Sequence, residues 1–216
     1  MHGFVALPPK MDDTAFVTAQ WPDRQPFIPK QTHGSEVLDI RQEMERATLF
    51  GGGRPCADGL VFSGNTPGVF AVQSADCVPL MLRANQTFAL AHAGWRGLAN
   101  GILQKVVRMV VAAEPKAQLL TVLIGPSAEM CCYEVGDEVI EQLPKSAVYR
   151  AGIGGRCMLS TGRTAAVLIS ETVSESAAVK VRIWRAGFCT ICDTRFHSFR
   201  RDGKLAGRNI AYIAGN

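Results

Sequence analysis

Between Gly59 and Gly94 the chain repeats one device: a short apolar or alternating run, then Gly, Pro or Asn. "GLVFSG", "GVFAVQSADC", "PLMLRA" and "TFALAHAG" follow one another in this way. Runs of that length, punctuated by turn residues, predict successive strands forming a sheet. The next segment, "LANGILQKVVRMVVAAEP", sets Leu98, Ile102, Val106, Met109 and Val110 at helical spacing and stops at Pro115. "QLLTVLIGP" then predicts a buried strand, "EVGDEVIEQL" an amphipathic helix, "GRTAAVLISETVS" a second helix and "VKVRIWRAG" a strand. The closing "FHSFRRDGKLAGRNIAYIAG" predicts two strands joined by a glycine-containing turn. Strands grouped before and after a few helices favour an α+β class, with mixed α/β layers, over a regular βαβ repeat. The glycines of "FGGGRPCADG" predict a surface loop.

At 216 residues, 47% of them hydrophobic, the chain is long enough for one well-buried core, and a single domain over 1–216 is expected. The net charge of +4 is mild and its basic residues are spread, which argues against a nucleic-acid groove but is compatible with a small anionic ligand. No apolar run approaches the roughly 20 residues that cross a bilayer, and "MHGFVALPPK" lacks the charged and apolar regions of a signal peptide. No membrane association and a cytoplasmic location are expected. The seven cysteines, an odd and sparse set, are expected to be mostly reduced, each a small buried hydrophobe unless its surroundings say otherwise. The sequence carries no signal for oligomeric state.

Three segments carry candidate chemistry. In "QSADCVPL" an apolar run ends at Asp76 and Cys77 just before Pro79, and strand ends are where side chains project into clefts. In "ALAHAGWRGLANGIL" a strand reaches His92, passes Gly94 and Gly97 and enters the helix, so His92 sits at a strand-to-helix corner. There the helix N-terminus and Arg96 suit phosphate or carboxylate. The blander alternative is a tight turn with Trp95 in the core and Arg96 in solvent. "QTHGSEV" adds His33, one of only four histidines. His33, Cys77 and His92 together form a two-histidine, one-thiolate set that suits zinc, with a fourth position left for water. The same set also suits a single copper or a Cys–His nucleophile pair.

"QTHG", "ADGLV", "PGVFAVQSADCVPLML", "AHAGWRGL", "IGPSAEMCCYEVGDEV" and "CTICDTRFHSFRRDGKLAGR" stand in this order along most of the chain from about residue 30 to 210. On these motifs the sequence resembles the YfiH-type family, often labelled multicopper polyphenol oxidase or laccase-domain proteins. The resemblance implies mixed sheets flanked by helices, like Cys-His toxin deamidases, and a zinc site at His33, Cys77 and His92. It also implies phosphate-dependent cleavage of the purine nucleosides adenosine, inosine, guanosine and methylthioadenosine, with adenosine deamination as a side activity. Cys77, His92 and Asp76 are then the candidate catalytic residues, with Asp76 either handling protons or bracing its loop. Arg96, Arg200, Arg201 and Arg208 are the candidate phosphate and substrate ligands.

Four histidines are too few for a type 1 copper and a trinuclear cluster in one chain, although a single copper at the His-His-Cys site remains compatible with phenol oxidation. The alternatives are a Cys77–His92 thiol hydrolase, a peptidoglycan-precursor editing factor, a role also linked to this family, or a noncatalytic metal module. "MDDTAFVTAQWPDRQPFIPK" does not reproduce the family's Gly/Ser-rich and Asn-Arg elements, so substrate contacts from them are not carried over. The adjacent Cys131 and Cys132 are expected to pack before a helix. Cys189 and Cys192, in "CTIC", have the spacing of half a zinc site or a redox pair, without a second CxxC. His197 is expected on a strand face and His2 in a disordered terminus.

Overall fold

The structure, a computed structural model, describes residues 1–7, 13–24, 26–41, 54–175 and 179–215. The strands are β1 (His2–Ala6), β2 (Pro26–Phe27), β3 (Val37–Asp39), β4 (Gly59–Ser63), β5 (Val69–Ser74), β6 (Val78–Ala84), β7 (Thr87–Ala93), β8 (Leu119–Ile124), β9 (Glu134–Val135), β10 (Tyr149–Ala151), β11 (Cys157–Leu159), β12 (Lys180–Arg185) and β13 (Asn209–Ala214). The helices are α1 (Asp13–Gln20), α2 (Trp95–Ala99), α3 (Ile102–Ala113), α4 (Asp137–Ile140), α5 (Thr161–Ser174) and α6 (Phe199–Asp202).

A six-stranded mixed sheet, ordered β12-β8-β6-β7-β4-β3, lies against a four-stranded sheet ordered β1-β13-β5-β2. Phe62, Phe70, Leu90, Met81, Val72 and Ile213 fill the space between them, with Phe62 and Phe70 stacked at 4.1 Å. The other face of the larger sheet is covered by α3 and α5 through Val106, Val110, Leu168 and Ile169. Burial of such side chains contributes roughly 1.5–3 kcal/mol each, which is why the apolar faces set the layering. The result is an α+β fold with mixed sheets.

The four strands predicted between Gly59 and Gly94 all form, but not in one sheet. β4, β6 and β7 share the larger sheet, with β6 and β7 a hairpin that turns at Asn85. β5 joins the other, between antiparallel β13 and parallel β2. Its run Val69–Val72 is buried throughout, which suits an interior strand of either sheet and carries no mark of which one.

The helix expected across Leu98–Pro115 is broken at Gly101, whose φ of 75° ends α2 and restarts the chain as α3. "EVGDEVIEQL" yields only the short β9 and the single turn α4. The expected C-terminal hairpin also fails in its first half. Ser198 accepts a hydrogen bond from the Arg201 amide and caps α6, so only β13 is a strand. His197 accordingly lies outside any strand, its amide bonded to Asn209 and its Nε2 2.5 Å from the Leu7 carbonyl oxygen. His2 is placed in β1, paired with Ile213, because residues 2–6 run antiparallel to β13 and complete the edge of the smaller sheet. Phe50–Gly53 of the expected glycine loop lie outside the described residues. Among the described residues no helix is long and apolar enough to cross a membrane.

Candidate metal centre

The site is assembled around a carboxylate. Asp58, fully buried at the start of β4, accepts hydrogen bonds from the Thr32 amide (3.1 Å), the Thr32 hydroxyl (3.1 Å), the His33 amide (2.9 Å) and the Gly34 amide (2.8 Å). Three successive amides wrapped around an anion form a nest, and that nest holds His33 at a left-handed φ of 61°. The same carboxylate lies 2.9 Å from Nδ1 of His92 at the end of β7. One buried side chain therefore fixes both histidines. Gln31 ties their segment to β5 by bonding both the amide and the carbonyl of Gln73 (2.7 and 2.8 Å).

Cys77 arrives from the link between β5 and β6. Its sulfur and the ring nitrogens of His33 and His92 lie within 4.8 Å of one another, and the two imidazoles meet edge to face at 4.9 Å. Gly94 is needed here for its missing Cβ, which would sit 2.8 Å from the Cys77 sulfur and 3.5 Å from the His33 ring. With Nδ1 of His92 committed to Asp58, Nε2 is the nitrogen left for the cluster, the arrangement in which a carboxylate orients a metal-binding histidine. Two imidazoles and a thiolate beside an open cleft fit a zinc-type ion with a free coordination position.

The electrostatics of the cluster are those of a charged chain of groups. Burial pushes the Cys77 thiol up, but His92 and His33 outweigh it and bring it down to about 6. Burial pushes His92 down, whereas the Cys77 thiolate and Asp58 carry it up to about 9. Asp58 is held well below the usual carboxylate range: burial opposes ionisation, and the hydrogen bonds from His92, Gly34 and Thr32 overcome it.

The cluster opens onto a cleft of about 770 Å³ whose rim includes Lys30, Arg54, Arg96, Arg200 and Arg208, with Trp95, Tyr133 and Phe199 contributing aromatic surface. Arg96 lies over the Trp95 ring at 4.4 Å, and Arg200 lies 5.0 Å from the Tyr133 ring centre while donating to the Glu134 carbonyl. Arg201 faces elsewhere. It donates to the carbonyls of Thr190, Ile191 and Phe196 and pairs with Asp202, so it clamps a loop instead of lining the cleft. The helix opening at Trp95 is only five residues long, which reduces the expected helix-terminus anion cradle to a single turn.

Asp76, at a φ of 91°, spends one carboxylate oxygen on the Thr190 hydroxyl (2.7 Å) and the other on the Arg200 amide (2.6 Å). Its geometry is that of the loop brace. Sequence reasoning placed neither Asp58 nor Tyr133 and Phe199 in the site. "ADGLV" held the signal for Asp58, an acid at the mouth of an apolar strand.

Residues 13–216 match the family described as multi-copper polyphenol oxidoreductase laccase, and the chain belongs to that family. It is 31% identical to a purine nucleoside phosphorylase of Aquifex aeolicus over 82% of this chain and 76% of that one, and 31% identical to adenosine deaminase RL5 of an unknown prokaryotic organism over 86% and 73%. Its fold resembles the crystal structure of YlmD from Geobacillus stearothermophilus with a TM-score of 0.76, at 26% identity, across 98% of this chain and 84% of that one.

Proposed function

We propose that the protein is a zinc-dependent purine nucleoside phosphorylase that cleaves adenosine, inosine, guanosine and methylthioadenosine with phosphate and deaminates adenosine as a side reaction. The observation that carries this reading is the His33–Cys77–His92 donor set opening onto a cleft rimmed by arginines and aromatic rings. The names of the relatives support it.

His33, Cys77 and His92 would hold the metal, which supplies Lewis-acid polarisation of substrate or water. Asp58 keeps His92 in the tautomer that presents Nε2 and neutralises part of its charge. Arg96, Arg200 and Arg208 gather phosphate oxygens through charge-assisted hydrogen bonds. Trp95, Tyr133 and Phe199 offer flat apolar faces to a purine. Asp76 acts as a positioning residue, holding the Arg200 backbone against the cleft.

Chromatography of adenosine incubated with zinc-quantified protein tests this reading. Phosphate-dependent adenine is the expected product, with inosine forming independently of phosphate. No purine product from fully loaded protein would overturn it.

A second reading is favoured by one observation. Cys77, His92 and Asp58 are in the relation of nucleophile, base and orienting acid, with the thiol already lowered. In a thiol hydrolase, turnover would persist in metal-free protein and vanish on alkylation of Cys77, whereas the phosphorylase loses turnover when the metal is removed.

A further inference from the structure

Two motifs play no part in the cleft: the adjacent Cys131 and Cys132, and the CxxC pair Cys189 and Cys192. Neither the expected packing of the first pair before a helix nor the isolation of the second is what the structure shows. Although Cys131 and Cys192 are 61 positions apart, all four sulfurs lie within 4.8 Å of one another. We propose that these four cysteines form a second metal site, a closed tetrathiolate centre for zinc that is structural and not catalytic.

The spacing fits. Zinc–sulfur bonds of about 2.3 Å in a tetrahedron separate the sulfurs by about 3.8 Å. Cys131 and Cys192 are 3.8 Å apart, and Cys131 and Cys132 are 3.5 Å apart. A disulfide needs about 2.05 Å, and all four are free thiols. The set contains no imidazole or carboxylate and already supplies four ligands, so no coordination position is left for water or substrate.

The backbone holds the cysteines in place. Ser127 and Cys189 form a parallel bridge in which the Ser127 amide donates to Phe188 (3.2 Å) and the Thr190 amide donates to Ser127 (3.1 Å). A turn closed by the Cys132 amide on Glu129 (3.0 Å) brings the adjacent cysteines toward that bridge. The Asp193 amide on Cys189 (3.0 Å) closes the CxxC loop. Cys131 and Cys132 lie on a turn, so their side chains are not held on opposite faces as they would be in a strand.

Apart from the Arg201 clamp and the Phe188–Phe196 ring pair, the surroundings give the loop little else to fold around. Residues 186–198 have no helix or extended strand, Phe188 is exposed, and Cys131 and Cys192 are exposed as well. A metal cross-link is the means by which such segments acquire a fixed shape without an apolar core. Thr190, between the two CxxC cysteines, is fully buried and donates to Asp76, the neighbour of Cys77. The second site thereby holds the wall of the cleft.

Elemental analysis and cobalt substitution of the full chain test the proposal. Wild type is expected to carry two metal ions, and Cys189→Ser with Cys192→Ser one fewer. The Cys77→Ser variant removes the only thiolate of the first site. It is therefore expected to keep an intense sulfur-to-cobalt charge-transfer band, and that band is lost only when the four cysteines are also changed. If the double serine variant fails to fold, the band in Cys77→Ser still decides the question. Absence of that band overturns the proposal, as does a native mass showing disulfides among the four residues. Iron in their place overturns the assignment to zinc. Since the readouts are metal content and spectra, failure of the phosphorylase reading would leave them unaffected.

Discussion

The two sulfur-containing clusters differ in what holds them. Cys77 and His92 stand at the ends of strands and His33 on the loop between β2 and β3; a buried carboxylate fixes the two histidines, and a broad cleft lies on the open side of the cluster. The four cysteines stand on turns near the surface, are fixed by backbone bonds between two loops, and complete a ligand set among themselves. A scaffold that exists before the metal arrives can leave a coordination position open. One in which the metal cross-links two surface loops gains most when the protein fills every coordination position.

The largest effect should come from removing the ligand that the first cluster cannot replace. Cys77→Ser is expected to lower adenosine turnover by on the order of 10³-fold while leaving the metal of the four-cysteine site in place. Steady-state kinetics and elemental analysis on the same preparation check this, and loss of both metals would erase the distinction between the clusters.

Asp58→Asn sharpens the contrast in scaffolding. An amide cannot accept from all the donors gathered by the carboxylate, and its NH₂ would face peptide amides. A loss of about 3–5 kcal/mol is expected in denaturant unfolding, with zinc affinity at the first site falling about 10- to 100-fold. A variant as stable as wild type would mean that the nest does not organise the site.

The first cluster should also be more strongly pH-dependent than a preformed neutral site. In metal-free protein Cys77 titrates near 6 and His92 near 9. Between these values the thiolate is ready and metal must displace the His92 proton; below about 6 it must displace that of Cys77 as well. Affinity is therefore expected to rise about tenfold per pH unit from 6 to 9, more steeply below 6, and to level off above 9. Competition with a chromophoric chelator across this range measures the slope, and a flat profile from 6 to 9 would contradict the ion-paired description.

A smaller effect separates the cleft from the loop clamp. Arg96→Ala is expected to raise the KM for phosphate about tenfold, equivalent to roughly 1.4 kcal/mol. Arg201→Ala should leave that KM unchanged and lower the melting temperature, because its donors serve the carbonyls around the CxxC loop. The opposite pattern would exchange their roles.

Much of this arrangement was legible in the chain. Alternating and apolar runs mark most strands, and three separated motifs carry His33, Cys77 and His92. What escaped depends on contacts distant in sequence. The buried run of β5 does not declare which sheet receives it. Asp58 reads as an ordinary turn acid until the amides of residues 32–34 close around it. The four-cysteine cluster is hidden for a different reason: the recognisable metal signature is a second CxxC, and the turn at Cys131 and Cys132 supplies the missing pair without that spacing. The C-terminal hairpin does not form because the local cap at Ser198 wins over the aromatic-flanked run of residues 196–199 in which it sits.

The left-handed backbone at His33 decides which replacement would give an interpretable experiment. Alanine would remove the imidazole and also press a Cβ-bearing residue with no compensating side chain into a conformation it rarely adopts, so two defects would be measured as one. Asparagine tolerates that conformation and lacks the imidazole. His33→Asn therefore separates the ligand from the turn, and the difference between the two variants isolates what the turn itself contributes.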